Sequence, residues 1–180
     1  MLRTRTAALA ATLILTLSGA TAASAHPVHD AAASTSVSAR AAQHATGDFT
    51  AEVDFTTLRA TDVLGHACRL TVNGVLHFTG SLDGEARGTT TAVVHAPCSE
   101  VTTAPPGAYF DVFRFAGTFT GTVHGVPTTG DLRYAGITWP GGAIRALVRL
   151  TGERATAVLR ADATVAVGGS YTGVARASGR

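Results

Sequence analysis

The sequence predicts an all-β protein, an eight-stranded antiparallel barrel. The stretch 109–125 alternates phenylalanine or valine with glycine on one face and is rich in threonine on the other. That period of two is typical of a strand, and large residues alternating with glycine suit the tapered interior of a small barrel. The stretch 76–84 repeats the pattern. Eight such segments can be drawn, the number at which a closed barrel is filled by its side chains or holds one small ligand.

The first 25 residues have the features of a secretory signal peptide. Arg3 and Arg5 precede an apolar run over 7–17, and Ala-Ser-Ala at 23–25 is a cleavage pattern. This run of about 11 residues is shorter than the roughly 20 that span a bilayer, so no membrane anchor is expected. We therefore predict a secreted protein with a signal at 1–25, a flexible leader over 26–47 and a barrel domain over 48–180.

The charge and the motifs exclude several functions. All 14 basic residues are arginine, and removal of the signal leaves a chain of zero net charge. A nucleic-acid partner is not expected, because such binding depends on neutralising phosphates. The sequence has no G-x-S-x-G, H-E-x-x-H or P-loop pattern, so it predicts no serine hydrolase, zinc protease or nucleotide-binding protein, and no cofactor.

Two cysteines, Cys68 and Cys98, are present. In an exported domain of this size a pair of cysteines usually forms one disulfide, here closing a loop of about 30 residues. The alternative is a thiol pair used for redox or metal chemistry, which the lack of a C-x-x-C spacing disfavours.

The leader holds a second candidate for metal binding. An amino-terminal His26, with His29 and Asp30 close by, could chelate copper or nickel through the free amine and the imidazoles. The competing interpretation is an exposed tail without a ligand. We predict no metal site.

The first predicted strand covers 49–58, followed by a turn at 61–65. Asn73-Gly74 is a common hairpin turn, but a hairpin there would place His77 and Thr79 on the same face as Val72 and Leu70. One long strand over 68–84, bent at its glycines, keeps the apolar residues together and is preferred.

The remaining elements follow the same alternation. Strands are predicted over 87–95, 109–125, 129–138, 144–152, 155–167 and 170–177, with a loop at 96–107 and a turn at 139–142. The alanine-rich segment 155–167 is also compatible with a short helix.

The glycine and aromatic spacing in FTGSLDG, FAGTFTGTVHG, TTGDLRYAG and GSYTG resembles that of the allene oxide cyclase and dirigent type of barrel. Within that superfamily the sequence is most similar to uncharacterised secreted actinobacterial proteins. The resemblance covers roughly 48–177. It implies an eight-stranded antiparallel barrel, often a homo-oligomer, whose lumen takes an apolar small molecule. None of the catalytic residues of the plant cyclases, and none of the substrate-binding residues of dirigent proteins, is matched.

The candidate ligand-binding residues are those that the period-two alternation of their strands places on the inward face of the barrel. This position in the alternation is called inward parity. Tyr109, Asp111 and Phe113 continue the inward face of the central strand, and Tyr134 and Tyr171 share that parity on later strands. An inward carboxylate beside aromatic rings would have a raised pKa and could act as an acid, a base or a polar anchor. Alternatively, a bulge near Phe113 turns Asp111 outward, or Arg114 or Arg133 pairs with it. The tyrosines could equally be core residues.

Three functions remain open on the sequence. The leading one is binding of an apolar or amphiphilic small molecule in the lumen. The second is a cyclase or isomerase that folds a reactive substrate into shape, and the third is a packed barrel that serves as a structural or interaction protein. A continuous apolar cavity would favour the first two, whereas a filled interior would favour the third.

Overall fold

The protein was analysed as a computed structural model that describes residues 41–178. It is a closed barrel of eight antiparallel strands in chain order, which confirms the predicted fold class. The strands are β1 (Gln43–Val63), β2 (Ala67–Gly80), β3 (Leu82–Val94), β4 (Asp111–Val123), β5 (Val126–Thr138), β6 (Ala143–Gly152), β7 (Ala155–Thr164) and β8 (Gly168–Ala177). The predicted signal peptide, and the leader histidines that were considered and rejected as a metal site, lie outside the described residues.

Strand β1 is longer than its sequence pattern indicated. It begins at Gln43, inside the predicted leader, because residues 43–50 pair with β8 and close the barrel. Residues 51–63 continue in register with β2 alone, with an irregularity between Asp54 and Arg59. The turn falls at 64–66 rather than 61–65, since Thr61 to Val63 are still paired. The β1–β2 hairpin therefore extends past the start of β8.

The predicted single strand over 68–84 is wrong, although the rejection of a hairpin at Asn73-Gly74 is correct. The chain turns at Ser81, so that Phe78 pairs with Gly84. Gly80 takes a φ of 103° in this turn, a conformation that favours glycine. The Tyr171 hydroxyl accepts a hydrogen bond from the Leu82 amide at 2.8 Å and donates one to the Thr79 carbonyl at 3.0 Å. These contacts hold the turn in place.

The central strand β4 is regular along its whole length. It pairs with β3 and with β5 from Asp111 to Val123 without a register shift. The bulge that would have turned Asp111 outward is therefore absent, and the residue points into the barrel. The segment 155–164 is a strand, not a helix, and the turn at 139–142 lies where it was predicted.

The two ends of the barrel are packed differently. The end that carries the β2–β3, β4–β5 and β6–β7 turns, here called the closed end, is filled by large side chains. The most deeply buried of them are Phe78, Phe119, Leu82, Leu132, Leu150, Leu159, Val123 and Val148. The other end, here called the open end, carries the β1–β2, β5–β6 and β7–β8 turns and the β3–β4 connection.

The β3–β4 connection, residues 95–110, is called the cap segment. It contains a one-turn helix, α1 (Cys98–Val101), that the sequence did not predict. The Cys68–Cys98 disulfide joins α1 to the start of strand β2, with the two Cα atoms 4.8 Å apart. This confirms the predicted bridge. Further along, the Gly141 amide donates to the Gly107 carbonyl at 3.0 Å. The cap segment is thus attached to both sides of the open end.

Within residues 41–178, no helix has both the length and the apolar character needed to cross a membrane.

Candidate functional site

The open end of the barrel contains a cavity of about 500 Å³. This volume lies in the range of roughly 300–1,000 Å³ found for small-molecule sites. Its walls are mainly the inward faces of β1 to β5, with Ile144 of β6 and Ala163 of β7, and its mouth is bounded by the β1–β2 hairpin, the cap segment and the β7–β8 turn. The floor is formed by Phe49, Leu76, Phe115 and Tyr134. Below that level the closed end is packed.

Four of the five predicted ligand-binding residues line this cavity: Tyr109, Asp111, Phe113 and Tyr134. Asp111 and Phe113 lie on β4, Tyr134 lies on β5 and Tyr109 lies at the end of the cap segment. The Tyr109 hydroxyl donates to Oε2 of Glu100 at 3.2 Å, which fastens it to the helical turn of the cap segment. The alternation that predicted a common face therefore also placed these side chains at a common site.

Asp111 is the buried carboxylate of the cavity, with only 8% of its surface exposed. It lies between Val94 on β3 and Thr138 on β5, which pair with it directly. Its Oδ1 atom has no hydrogen-bond partner among the described residues. Arg114 and Arg133, the expected structural partners, are exposed on the outer face and form no ion pair with it in the described barrel.

Burial raises the pKa of Asp111 from 3.8 to about 6, although a hydrogen bond from Thr138 and the nearby His95 act to lower it. Asp111 therefore has a higher pKa in the folded protein than in the unfolded chain. Protonation of Asp111 stabilises the fold fully below pH 3.8, and this contribution is lost as the pH rises through about 6. At neutral pH the ionised carboxylate therefore opposes folding. Titratable groups perturbed in this way concentrate at functional sites.

Tyr134 supplies the polar atom at the floor. Its ring makes edge contacts with Phe49 and Phe113, with ring centroids 5.5 and 5.0 Å away. Its hydroxyl is buried without a hydrogen-bond partner among residues 41–178, and burial raises its pKa. The cavity therefore carries one unpaired polar atom near its mouth and another at its floor.

The structure does not bring Tyr171 to this site. Its ring packs against Phe78 in the closed end, with centroids 5.9 Å apart, and its hydroxyl is hydrogen-bonded in the β2–β3 turn. The residue is absent from the cavity wall of the described barrel. Tyr171 has the predicted inward parity but serves the core and the turn, which is the alternative the sequence left open for the tyrosines.

Several cavity residues were not predicted. Thr138, 1% exposed beside Asp111, follows Leu132, Tyr134 and Gly136 at the inward parity of β5, so its alternation could have identified it. Phe55 and Leu58 reach the mouth from the extended part of β1, and Val165 reaches it from the β7–β8 turn. Besides the predicted Tyr109, the cap segment contributes Val101, Thr102 and residues 104–108. No local sequence signal identifies Val165 or these residues of the cap segment, because their position depends on the closure of the barrel.

The described residues contain no group of three or more histidine, cysteine, aspartate or glutamate side chains that could hold a metal ion.

The fold and the site together define a class, the small antiparallel β-barrels with a cavity in the lumen. No protein-family model and no curated protein matches the chain. Among solved structures the barrel is similar to a protein of unknown function from Shewanella oneidensis MR-1, of the DUF3224 family. The TM-score is 0.54 at 13% sequence identity, with 78% of this chain and 99% of that chain covered. This likeness concerns the fold alone.

Proposed function

We propose that the protein binds an apolar or amphiphilic small molecule in the lumen of its barrel. The observation that carries this proposal is the cavity of about 500 Å³ above a packed core, with two buried polar atoms that lack partners among residues 41–178. Protein interiors are close-packed, with few voids larger than a water molecule. A space of this size at one end of an otherwise filled barrel is therefore better explained as a binding site than as a packing defect.

The unpaired atoms support the same conclusion. Buried polar groups are nearly always hydrogen-bonded, and each one left unpaired costs about 1–3 kcal/mol. Three such side-chain atoms occur in the described part of the chain, and two of them, on Asp111 and Tyr134, belong to the cavity wall. The third, on His124, lies in the β4–β5 turn at the closed end. A ligand with a polar group at either position would pair the cavity atom that it reaches.

The second candidate is an enzyme of the cyclase or isomerase kind, the activity of one branch of the barrel superfamily that the sequence resembles. The observation in its favour is the pKa of Asp111, which burial raises to about 6. A carboxyl group that titrates near neutral pH can both donate and accept a proton during turnover. In this alternative Asp111→Asn would abolish most of the turnover of a bound substrate while its affinity is kept, whereas a pure binding protein has no turnover to lose.

Export from the cell is part of the proposal. The Cys68–Cys98 disulfide is typical of an oxidising compartment and so supports secretion after cleavage near Ala25. The amino-terminal sequence of protein recovered from the culture medium of its host tests this, because an uncleaved chain retained inside the cell would contradict it.

Filling the lumen is expected to abolish ligand binding. Ala92 lies on β3 opposite Phe113, and its methyl group faces the cavity. Ala92→Trp would occupy much of the open volume and should weaken binding of the neutral fluorescent probe N-phenylnaphthylamine at least about tenfold, a loss of 1.4 kcal/mol or more. Fluorescence titration measures this, and circular dichroism establishes that the barrel is retained.

The matched control is Ala135→Trp, because Ala135 is exposed on the outer face of β5. This variant should bind the probe like the wild type. Equal binding by both variants would place the probe outside the lumen and would remove the support for the proposal. Native mass spectrometry of protein purified from its own host, which would detect a molecule carried along, tests the same point without a probe.

A further inference from the structure

The charged side chains among the described residues that line the cavity are all negative. Among the described residues that line it there is no arginine, lysine or histidine. Two carboxylates are present, but the Glu52 side chain is 77% exposed and lies near His77 outside the barrel. Asp111 is therefore the one buried carboxylate among the described residues of the wall, and these residues include no cation to face it.

His95, which lies outside the cavity, also acts on Asp111 and lowers the pKa of its carboxyl group. The His95 ring is exposed and stacks edge-on against Phe110, with centroids 5.1 Å apart, on the outer side of the cap segment. It attracts the Asp111 carboxylate but makes no hydrogen bond with it in the described structure. An ionised carboxylate that is buried without a counter-ion is strongly disfavoured, so a cationic group of a ligand would be stabilised beside Asp111.

The surroundings of Asp111 suit an ammonium group with an apolar body. Tyr109 and Phe113 line the same cavity as Asp111, and aromatic rings attract cations. From Asp111 to Phe115 the strand advances four residues, roughly 13 Å, through a wall of apolar side chains. An alkyl chain of about this length would reach from the carboxylate to the floor of the cavity.

We propose that the ligand is a hydrophobic amine, whose ammonium group pairs with the Asp111 carboxylate and whose apolar part fills the lumen down to Tyr134. This inference rests on the proposed function and specifies its ligand class. A fatty acid or another apolar anion is disfavoured, because its carboxylate would meet Asp111 and no cation of the wall. A preference for amines over acids would distinguish this barrel from a barrel that binds an acidic lipid.

The test is displacement of N-phenylnaphthylamine by octylamine, octanol and octanoate, three ligands with one alkyl chain and different charges. At about pH 8 the amine is protonated and Asp111, whose pKa is about 6, is ionised. Octylamine should bind at least about tenfold more tightly than octanol, and octanoate should bind most weakly, since charge-assisted hydrogen bonds are about twice as strong as neutral ones.

Asp111→Asn should remove the preference. Octylamine should lose about tenfold or more in affinity in this variant while octanol changes by less than about threefold. The exposed Asp131→Asn on the outer face of β5 is the matched control and should behave like the wild type. Because the ionised Asp111 opposes folding at neutral pH, Asp111→Asn is expected to fold, and a melting curve verifies it.

The pH dependence gives an independent readout. Octylamine should bind more weakly as the pH falls through about 6, when Asp111 becomes protonated, whereas octanol should not. Asp111 is paired with Thr138 of β5 and Val94 of β3, Tyr109 of the cap segment lines the same cavity, and His95 acts on Asp111 from outside. His95→Gln should keep the pH dependence, which assigns it to Asp111.

The outcomes separate the two proposals. Equal or tighter binding of octanoate, with the probe still excluded by Ala92→Trp, would overturn the amine inference and leave the lumen site standing. If the probe does not bind the wild-type protein at all, the lumen site and the amine inference both fail. An unchanged amine preference in Asp111→Asn would also overturn the inference.

Discussion

Loss of the Cys68–Cys98 disulfide is expected to lower the free energy of unfolding by about 3–4 kcal/mol. The bridge spans a sequence separation of 30 residues and so restricts a long loop of the unfolded chain. Cys68 is fully buried, so Cys68→Ala/Cys98→Ala replaces the bridge without leaving a buried polar group. Denaturation in guanidinium chloride measures the difference from the wild type. The control is added reductant, which should destabilise the wild type but leave the variant unchanged.

Loss of the same bridge should also change the rate at which a ligand leaves the cavity, because the bridge holds α1 against β2 at the mouth. With the bridge removed, the cap segment is held mainly by the Gly141–Gly107 and His95–Phe110 backbone hydrogen bonds at its far end. We expect N-phenylnaphthylamine to leave the lumen faster in the alanine variant, as measured by stopped-flow dilution. A variant with lower stability but an unchanged release rate would show that the ligand enters by another path.

The alternation of residues predicted the strands and their faces, but it could not predict one turn. Phe78 and Gly84 pair across the β2–β3 turn, and their numbers differ by an even amount. The inward parity therefore passes from Leu76 through the turn to Ala86 without a break. A hairpin of this kind looks like a continuous strand in the sequence. The glycine at position 80 was the one local signal, and it was interpreted as a bend.

The candidate site was predicted in part for a related reason. Parity states which face a side chain occupies but not its height along the barrel axis. Asp111, Phe113 and Tyr134 lie level with the cavity, whereas Tyr171, with the same parity, lies in the packed closed end. Height depends on the register between neighbouring strands, which is set by pairing over long sequence distances. The contributions of the β7–β8 turn, and of the cap segment other than Tyr109, were missed for the same reason.

The alternation of glycine with large residues on the inward face of β4, in contrast, was visible in the sequence. The structure explains why glycine is needed at these positions. Gly121 on β4 is paired with Gly84 on β3 and with Thr128 on β5. A Cβ atom at position 121 would collide with the carbonyl oxygen of Asp83, would lie 2.8 Å from the Cα of Gly84 and would lie 2.9 Å from Cζ of Phe119. The first two neighbours are backbone atoms of the sheet, which cannot move aside without breaking the ladder.

Gly121→Val is therefore expected to lower the free energy of unfolding by about 3 kcal/mol, at the upper end of the range for overpacked positions. Thr120→Val is the matched control, because Thr120 is the adjacent residue of β4 and its side chain is exposed on the outer face. It should change the stability by less than about 0.5 kcal/mol. Guanidinium chloride denaturation of both variants makes the comparison. Similar losses in the two would contradict the assignment of inner and outer faces, on which the location of Asp111 in the lumen also depends.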